Sequence, residues 1–209
     1  RSIGAKSIKV RYSLPADLQY EGLLTRKGFT NISPESDIYN IPGALLKDYL
    51  EGQKEDPGSL FVRSAKKLKK SGKLKLITMS KADPTQKSLW RKHFTDGTYP
   101  QYLSPMYTTG NIEEDTSIFL TDGQDVVGFA YTCIYEDGTR HLSGAYVPEK
   151  YRFFGGAQMI MLCLMRLGQR MKREEEVFIC TINEQSRRLV RGLLPEELKD
   201  KVEVEQMYT

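Results

Sequence analysis

Residues 141–171, HLSGAYVPEKYRFFGGAQMIMLCLMRLGQRM, carry the groups best placed to do chemistry. His141 stands at the head of this stretch, and an imidazole can take or give a proton near neutral pH. An apolar strand pattern runs to Val147. Arg152, Phe153 and Phe154 then lead into Gly155, Gly156 and Ala157, and an apolar-faced helix follows at once. A strand, a tight glycine turn and a helix N-terminus present amides that lack intrahelical partners, at the positive end of the helix dipole. Glycines there let a ligand approach the backbone closely. Such a turn suits a phosphate or pyrophosphate. The same glycines would equally serve a plain, tight connection from strand to helix. The G-x-G-x-x-G pattern of dinucleotide sites is absent.

The elements that must hold this segment can be read outward from it. A meander precedes it: strands over 116–120, 125–135 and 140–147, with turns at Asp122-Gly123 and over 136–139. A helix over about 155–171 follows, then a buried strand over 177–182, a helix over 184–194 and a last strand over 202–207. Further upstream, the strand KLKLITM is followed by Asp83-Pro84, an N-cap and first-turn pair, opening a helix through Trp90 to Phe94. Residues 96–111 form a loop rich in tyrosine (Tyr99, Tyr102, Tyr107). Before these lie a strand over 3–12, a helix from Pro15 capped at Gly28, an extended stretch to Ile41 and a short helix over 44–51. Strands and helices in this order give an α/β (or α+β) fold.

Composition narrows the class. The 209 residues are 39% hydrophobic and 28% charged, with 17 glycines, which excludes disordered, collagen-like and disulfide-scaffold chains. A net charge of +4 is too small to argue for nucleic acid. The densest basic run, RSAKKLKKSGKLK over 63–75, reads more readily as a solvated helix end or linker than as an anion patch. Cys133, Cys163 and Cys180 stand singly, with no C-x-x-C, which favours reduced thiols and a cytoplasmic setting. With only His93 and His141, no histidine-rich metal site can form, and no metal is expected. No apolar run is long enough to span a membrane, so no membrane partner is expected. The chain opens on Arg1-Ser2-Ile3-Gly4, without a signal peptide's apolar stretch and without methionine, which leaves open that its gene begins elsewhere.

Residues 152–157 read Arg-x-x-Gly-x-Ala. Between a strand and a long helix, this resembles the pyrophosphate motif Q/R-x-x-G-x-G/A of the GNAT superfamily of N-acetyltransferases. VVGFAYTCIYEDGTRHLSGAYV resembles that family's central hairpin. VFICTINEQSRRLVRGLLP resembles its next strand and helix, with Asn183, Ser186 and Leu189 as N-x-x-S-x-x-L. The resemblance covers about residues 74–209. It implies a mixed, mostly antiparallel central sheet flanked by helices, with strands splayed to admit the pantetheine arm of an acyl-coenzyme A (acyl-CoA). It implies an acyl-CoA-dependent N-acyltransferase, most simply acetyl-CoA to a primary amine of a small molecule or peptide. Ala145, Tyr146 and Val147 would then meet the acyl-CoA through their backbone. Amides of Phe153, Phe154, Gly155, Gly156 and Ala157 would hold its pyrophosphate, Arg152 would neutralise phosphate charge, and Asn183 would meet it from the next strand.

Direct transfer to an amine needs a base for the ammonium, a donor for the oxyanion and, in some cases, an acid for the thiolate. The resemblance points to a base about eleven residues before the motif, where this chain has His141. Strand alternation would place His141, Ser143, Ala145 and Val147 on one face. Glu136 is a weaker alternative, in a turn. The family's tyrosine acid falls on Val190, which has no proton to give. A loop tyrosine, Tyr107 first and Tyr99 or Tyr102 otherwise, would have to serve, or the thiolate leaves unassisted, or the domain is a non-catalytic CoA-binding or interaction module. Glu113, Glu114 and Asp115 lie where an acceptor amine could be drawn in. Arg187, Arg188 and Arg191 could face the 3′-phosphate or simply water.

Residues 1–73 are expected to be an N-terminal α/β extension or the tail of a preceding copy of the same fold. Asp17, Tyr20, Leu23 and Leu24 repeat the spacing of Asn183, Ser186, Leu189 and Val190. The acceptor is not legible, and homodimerisation is left open.

Overall fold

The computed structural model describes residues 12–15, 26, 34–181, 184–193 and 203–208. The chain divides into two units: Ile41–Phe178, and Arg1–Asn40 together with Ile179–Thr209. The strand and helix expected over 3–28 fall almost wholly outside the described residues, as do Asp17, Tyr20, Leu23, Leu24 and Asn183.

In the unit formed by the two ends, strands β1 (Tyr12–Pro15) and β2 (Pro34–Pro42) both pair antiparallel with β9 (Glu203–Tyr208). A helix, α5 (Glu184–Leu193), belongs to the same unit.

The larger unit begins with two helices, α1 (Gly43–Glu55) and α2 (Leu60–Ser71). Both lie before the boundary drawn at residue 74. The basic run is therefore mostly helix. Ser59 caps α2 by accepting a hydrogen bond from the Val62 amide at 3.1 Å, and Gly72 ends it in the left-handed conformation at φ 67°. Strand β3 (Leu74–Thr78) and helix α3 (Pro84–Thr95) follow. At the start of α3, Asp83 and Gln86 close a reciprocal capping box. Two short 3₁₀ turns, Gln101–Leu103 and Pro105–Tyr107, occupy the tyrosine loop. The meander is β4 (Asn111–Ile112), β5 (Ile118–Asp122), β6 (Asp125–Ile134) and β7 (Arg140–Tyr146). After it come α4 (Ala157–Arg170) and β8 (Glu176–Thr181).

The sheet of this unit runs β3-β5-β6-β7-β8, with β4 pairing β6 at Cys133 and Ile134, beyond the end of β5. The β3–β5, β4–β6, β5–β6 and β6–β7 pairs are antiparallel, so the expected mixed, mostly antiparallel α/β sheet is what forms. One sheet face packs on α3 through an aromatic core. Trp90 sits 5.3 Å from Phe119 and 5.9 Å from both Phe129 and Tyr131, measured between ring centroids. The other face packs on α4, against which α1 and α2 lie.

Candidate functional site

The β6–β7 pairing sets the geometry around His141. Tyr146, Gly144 and His141 stand opposite Phe129, Tyr131 and Cys133, while Ser143 stands opposite no residue. Strand β7 therefore bulges at Ser143, and a bulge leaves its extra residue outside the ladder. This corrects the expected alternation. Ala145, opposite Ala130, turns to the α4 side, and Gly144 and Tyr146 share the face of His141. Gly144 is needed there: a Cβ at this position would run into the Tyr131 ring.

His141 is held by rings. Its imidazole lies 4.3 Å from the Tyr135 ring and stacks on Phe178 at 5.0 Å with 23° between planes. Thr139 Oγ1 is 3.5 Å from Nε2. Burial lowers the pKa of His141 below the ordinary 6.5, partly opposed by Asp137, so the neutral ring dominates at pH 7. Asp137 is kept ionised by its hydrogen bonds from Thr139. Beside the histidine, Thr108 Oγ1 and Tyr135 OH share a hydrogen bond of 3.0 Å, and Thr108 also points at the Cys133 sulfur. Burial pushes the Cys133 thiol up, so it is a neutral, covered group.

Tyr107 precedes Thr108 and is 72% exposed on the second 3₁₀ turn. Tyr107 is thus one residue along the chain from the Thr108–Tyr135 hydrogen bond. Tyr99 is excluded as an acid. It is buried, its hydroxyl donates to the Val126 carbonyl, and burial drives its pKa far up. Tyr102 is exposed. Glu136 is exposed, in the turn between β6 and β7. Sequence reading missed Tyr135, Phe178 and Thr108. A legible signal existed for Tyr135: it ends a strand two residues beyond Cys133, so alternation puts both side chains on one face.

The turn after β7 differs from expectation. A helical turn begins already at Glu149–Tyr151 and passes through a π-helical turn, Arg152–Gly156, straight into α4. Gly155 and Gly156 are buried, and no positive φ is needed at either. A Cβ on Gly155 would strike Leu120 at 2.8 Å. That glycine is required for close packing on the sheet. Arg152 Nε donates to the Val147 carbonyl at 3.0 Å, tying the turn to the strand end. Phe153 and Phe154 are exposed, and Lys67 Nζ lies 4.2 Å over the Phe153 ring. Arg152 and Lys67 thus give the exposed side of this turn two cationic side chains. π-turns inside helices recur at functional sites.

The acidic stretch is occupied internally. Glu113 pairs with Arg140 at 3.3 Å, Glu114 with Lys87 at 2.5 Å and Asp115 with Arg170 at 2.6 Å. These pairs leave it a poor magnet for an acceptor amine. Val190 is buried at 6% exposure. Among the described residues no group of side chains could hold a metal ion, and no helix is long and apolar enough to cross a membrane.

The fold is similar to that of a GCN5-related N-acetyltransferase from Sphaerobacter thermophilus, with a TM-score of 0.51 and 12% identity over 95% of this chain. The chain spans 58% of that protein's length. A functionally unknown conserved protein from Staphylococcus epidermidis ATCC 12228 gives a TM-score of 0.48 at 14% identity, over 95% of this chain and 70% of its own. No protein-family model matches the sequence, and no curated protein sequence does. At such identity the likeness shows the fold: this chain has a GNAT-like fold.

Proposed function

We propose that this chain is an acyl-CoA-dependent N-acyltransferase that moves an acetyl group to a primary amine. The observation that carries the reading is on β7: a neutral imidazole, His141, two residues before an unpaired bulge residue, on the strand that runs into a helical turn with a cationic rim. The acyl-CoA supplies an activated thioester. The chain's own residues do the rest. Arg152 and the turn hold the anionic end. The bulge at Ser143 offers backbone outside the ladder for the reacting carbonyl, a role that needs a donor aimed where negative charge develops. His141 accepts the proton that the attacking amine gives up as the C–N bond forms and the C–S bond breaks. Tyr107 is the proposed proton source for the leaving thiolate.

Titration of the protein with CoA and acetyl-CoA by isothermal calorimetry tests the binding half of the reading. Saturable heat is expected. Its absence at millimolar ligand would sink the claim.

Val190 favours a second reading. The family's usual phenol position holds a buried aliphatic side chain, which suits a GNAT-like module that binds CoA or a protein without turnover. Binding of acetyl-CoA with no product from any amine of a broad panel would favour the module.

A further inference from the structure

We infer that helix α2 forms one wall of the nucleotide-binding site, with Arg63, Lys67 and Lys70 meeting the 3′-phosphate of CoA. The inference rests on the acyl-CoA reading above and extends the site to a helix outside the motif segment.

Three observations carry it. First, α2 is fixed against the turn that the acyl-CoA reading uses. Ser64 Oγ donates to Gln158 Oε1 at 2.7 Å in a buried bond, and Gln158 stands in the first turn of α4. Second, Lys67 reaches the turn itself, with Nζ 4.2 Å from the centroid of the exposed Phe153 ring. Arg63 and Lys70 lie four residues before and three after Lys67, so helical geometry puts all three on one stripe. All three are exposed. Third, the stripe works against its own helix. Helix α2 contains no Asp or Glu, and none of the three cations pairs with a carboxylate among the described residues. Like charges spaced three and four apart repel. Lys70 in the last turn suits the helix dipole, but Arg63 sits near the N-terminus, where a cation is disfavoured. A polyanion bound at the Arg152–Gly156 turn would neutralise this stripe. CoA is such a ligand, since its nucleotide end adds a 3′-phosphate to the pyrophosphate.

The test is calorimetric titration of the wild-type chain, Lys67→Gln, Lys67→Arg and Arg63→Gln/Lys70→Gln, each with CoA and with 3′-dephospho-CoA. Circular dichroism confirms that each variant is folded. Wild type should prefer CoA over the dephospho form. A charge-assisted contact to phosphate is worth roughly tenfold in affinity. Lys67→Gln and the double variant should lose roughly that factor for CoA and little for dephospho-CoA, while Lys67→Arg keeps it. The salt dependence of CoA binding should flatten in the same variants. Wild type that binds CoA, with Lys67→Gln and the double variant binding it as tightly, overturns the inference alone. Wild type that binds neither ligand overturns the acyl-CoA reading and this inference with it.

Discussion

The imidazole of His141 lies nearly parallel to the ring of Phe178, with centroids 5.0 Å apart and planes inclined by 23°. This cover, with Tyr135 on the ring as well, removes water from the imidazole and holds it neutral. Cutting Phe178 back to alanine should let water in. The His141 pKa, read from its ring C–H resonance by NMR, should then rise toward 6.5. An unchanged titration would mean that Phe178 does not set the electrostatics of this site.

The same shift has a consequence for stability. The folded state resists protonation of His141, whereas the unfolded chain takes the proton near 6.5. The unfolded state therefore binds more protons as pH falls below 6.5, and this contribution to stability is lost between 6.5 and the lower folded-state value. It is fully present above 6.5. Urea midpoints measured across pH 4.5–8 should decline less on the acid side in His141→Gln than in the wild type. Parallel declines would contradict the assignment.

The two glycines of the turn should respond oppositely to alanine. Gly155→Ala pushes a methyl to within 2.8 Å of Leu120, which is fully buried and has nowhere to go. It should cost about 1–3 kcal/mol. At Gly156 the nearest atom to a new Cβ is 3.7 Å away, ordinary contact, and the backbone is helical. Gly156→Ala should stabilise by about 0.5–1 kcal/mol. Chemical denaturation of both variants decides this, and equal effects would refute the packing account of Gly155.

Arg140 joins Glu113 at 3.3 Å and Glu175 at 2.6 Å, with all three side chains largely covered. Arg140→Ala leaves covered carboxylates facing each other without their cation. A loss of about 3 kcal/mol is expected. A loss below about 1 kcal/mol would show that water reaches these carboxylates.

Much of this was legible in the sequence because local signals and the tertiary fold agree. Asp83-Pro84 marks a helix start that forms with a full capping box, and Glu136-Asp137-Gly138 marks the hairpin whose Gly138 takes φ 85°. The bulge at Ser143 was not legible. A register slip depends on how β6 and β7 twist together, and no residue type announces it. The start of the helix at Glu149 was written in Pro148-Glu149, but the glycine pair drew the boundary forward. Helix α2 was hidden because its five lysines and arginines read as a solvated run, although Phe61, Ala65 and Leu68 keep the spacing of an apolar face. The ring cover of His141 depends on Phe178, 37 residues away, a contact that only the folded sheet creates.

Release of free CoA thiol from acetyl-CoA, followed over a panel of primary amines for the wild type and His141→Ala, tests the central claim most directly. The account predicts amine-dependent release whose kcat/KM falls as pH drops through a value below 6.5, because protonated imidazole cannot take the amine's proton. It predicts a rate roughly 10²–10⁴-fold lower in His141→Ala, with acetyl-CoA affinity nearly unchanged. Thiol release that no amine raises above spontaneous hydrolysis, or full turnover by His141→Ala with the wild-type pH profile, would contradict it.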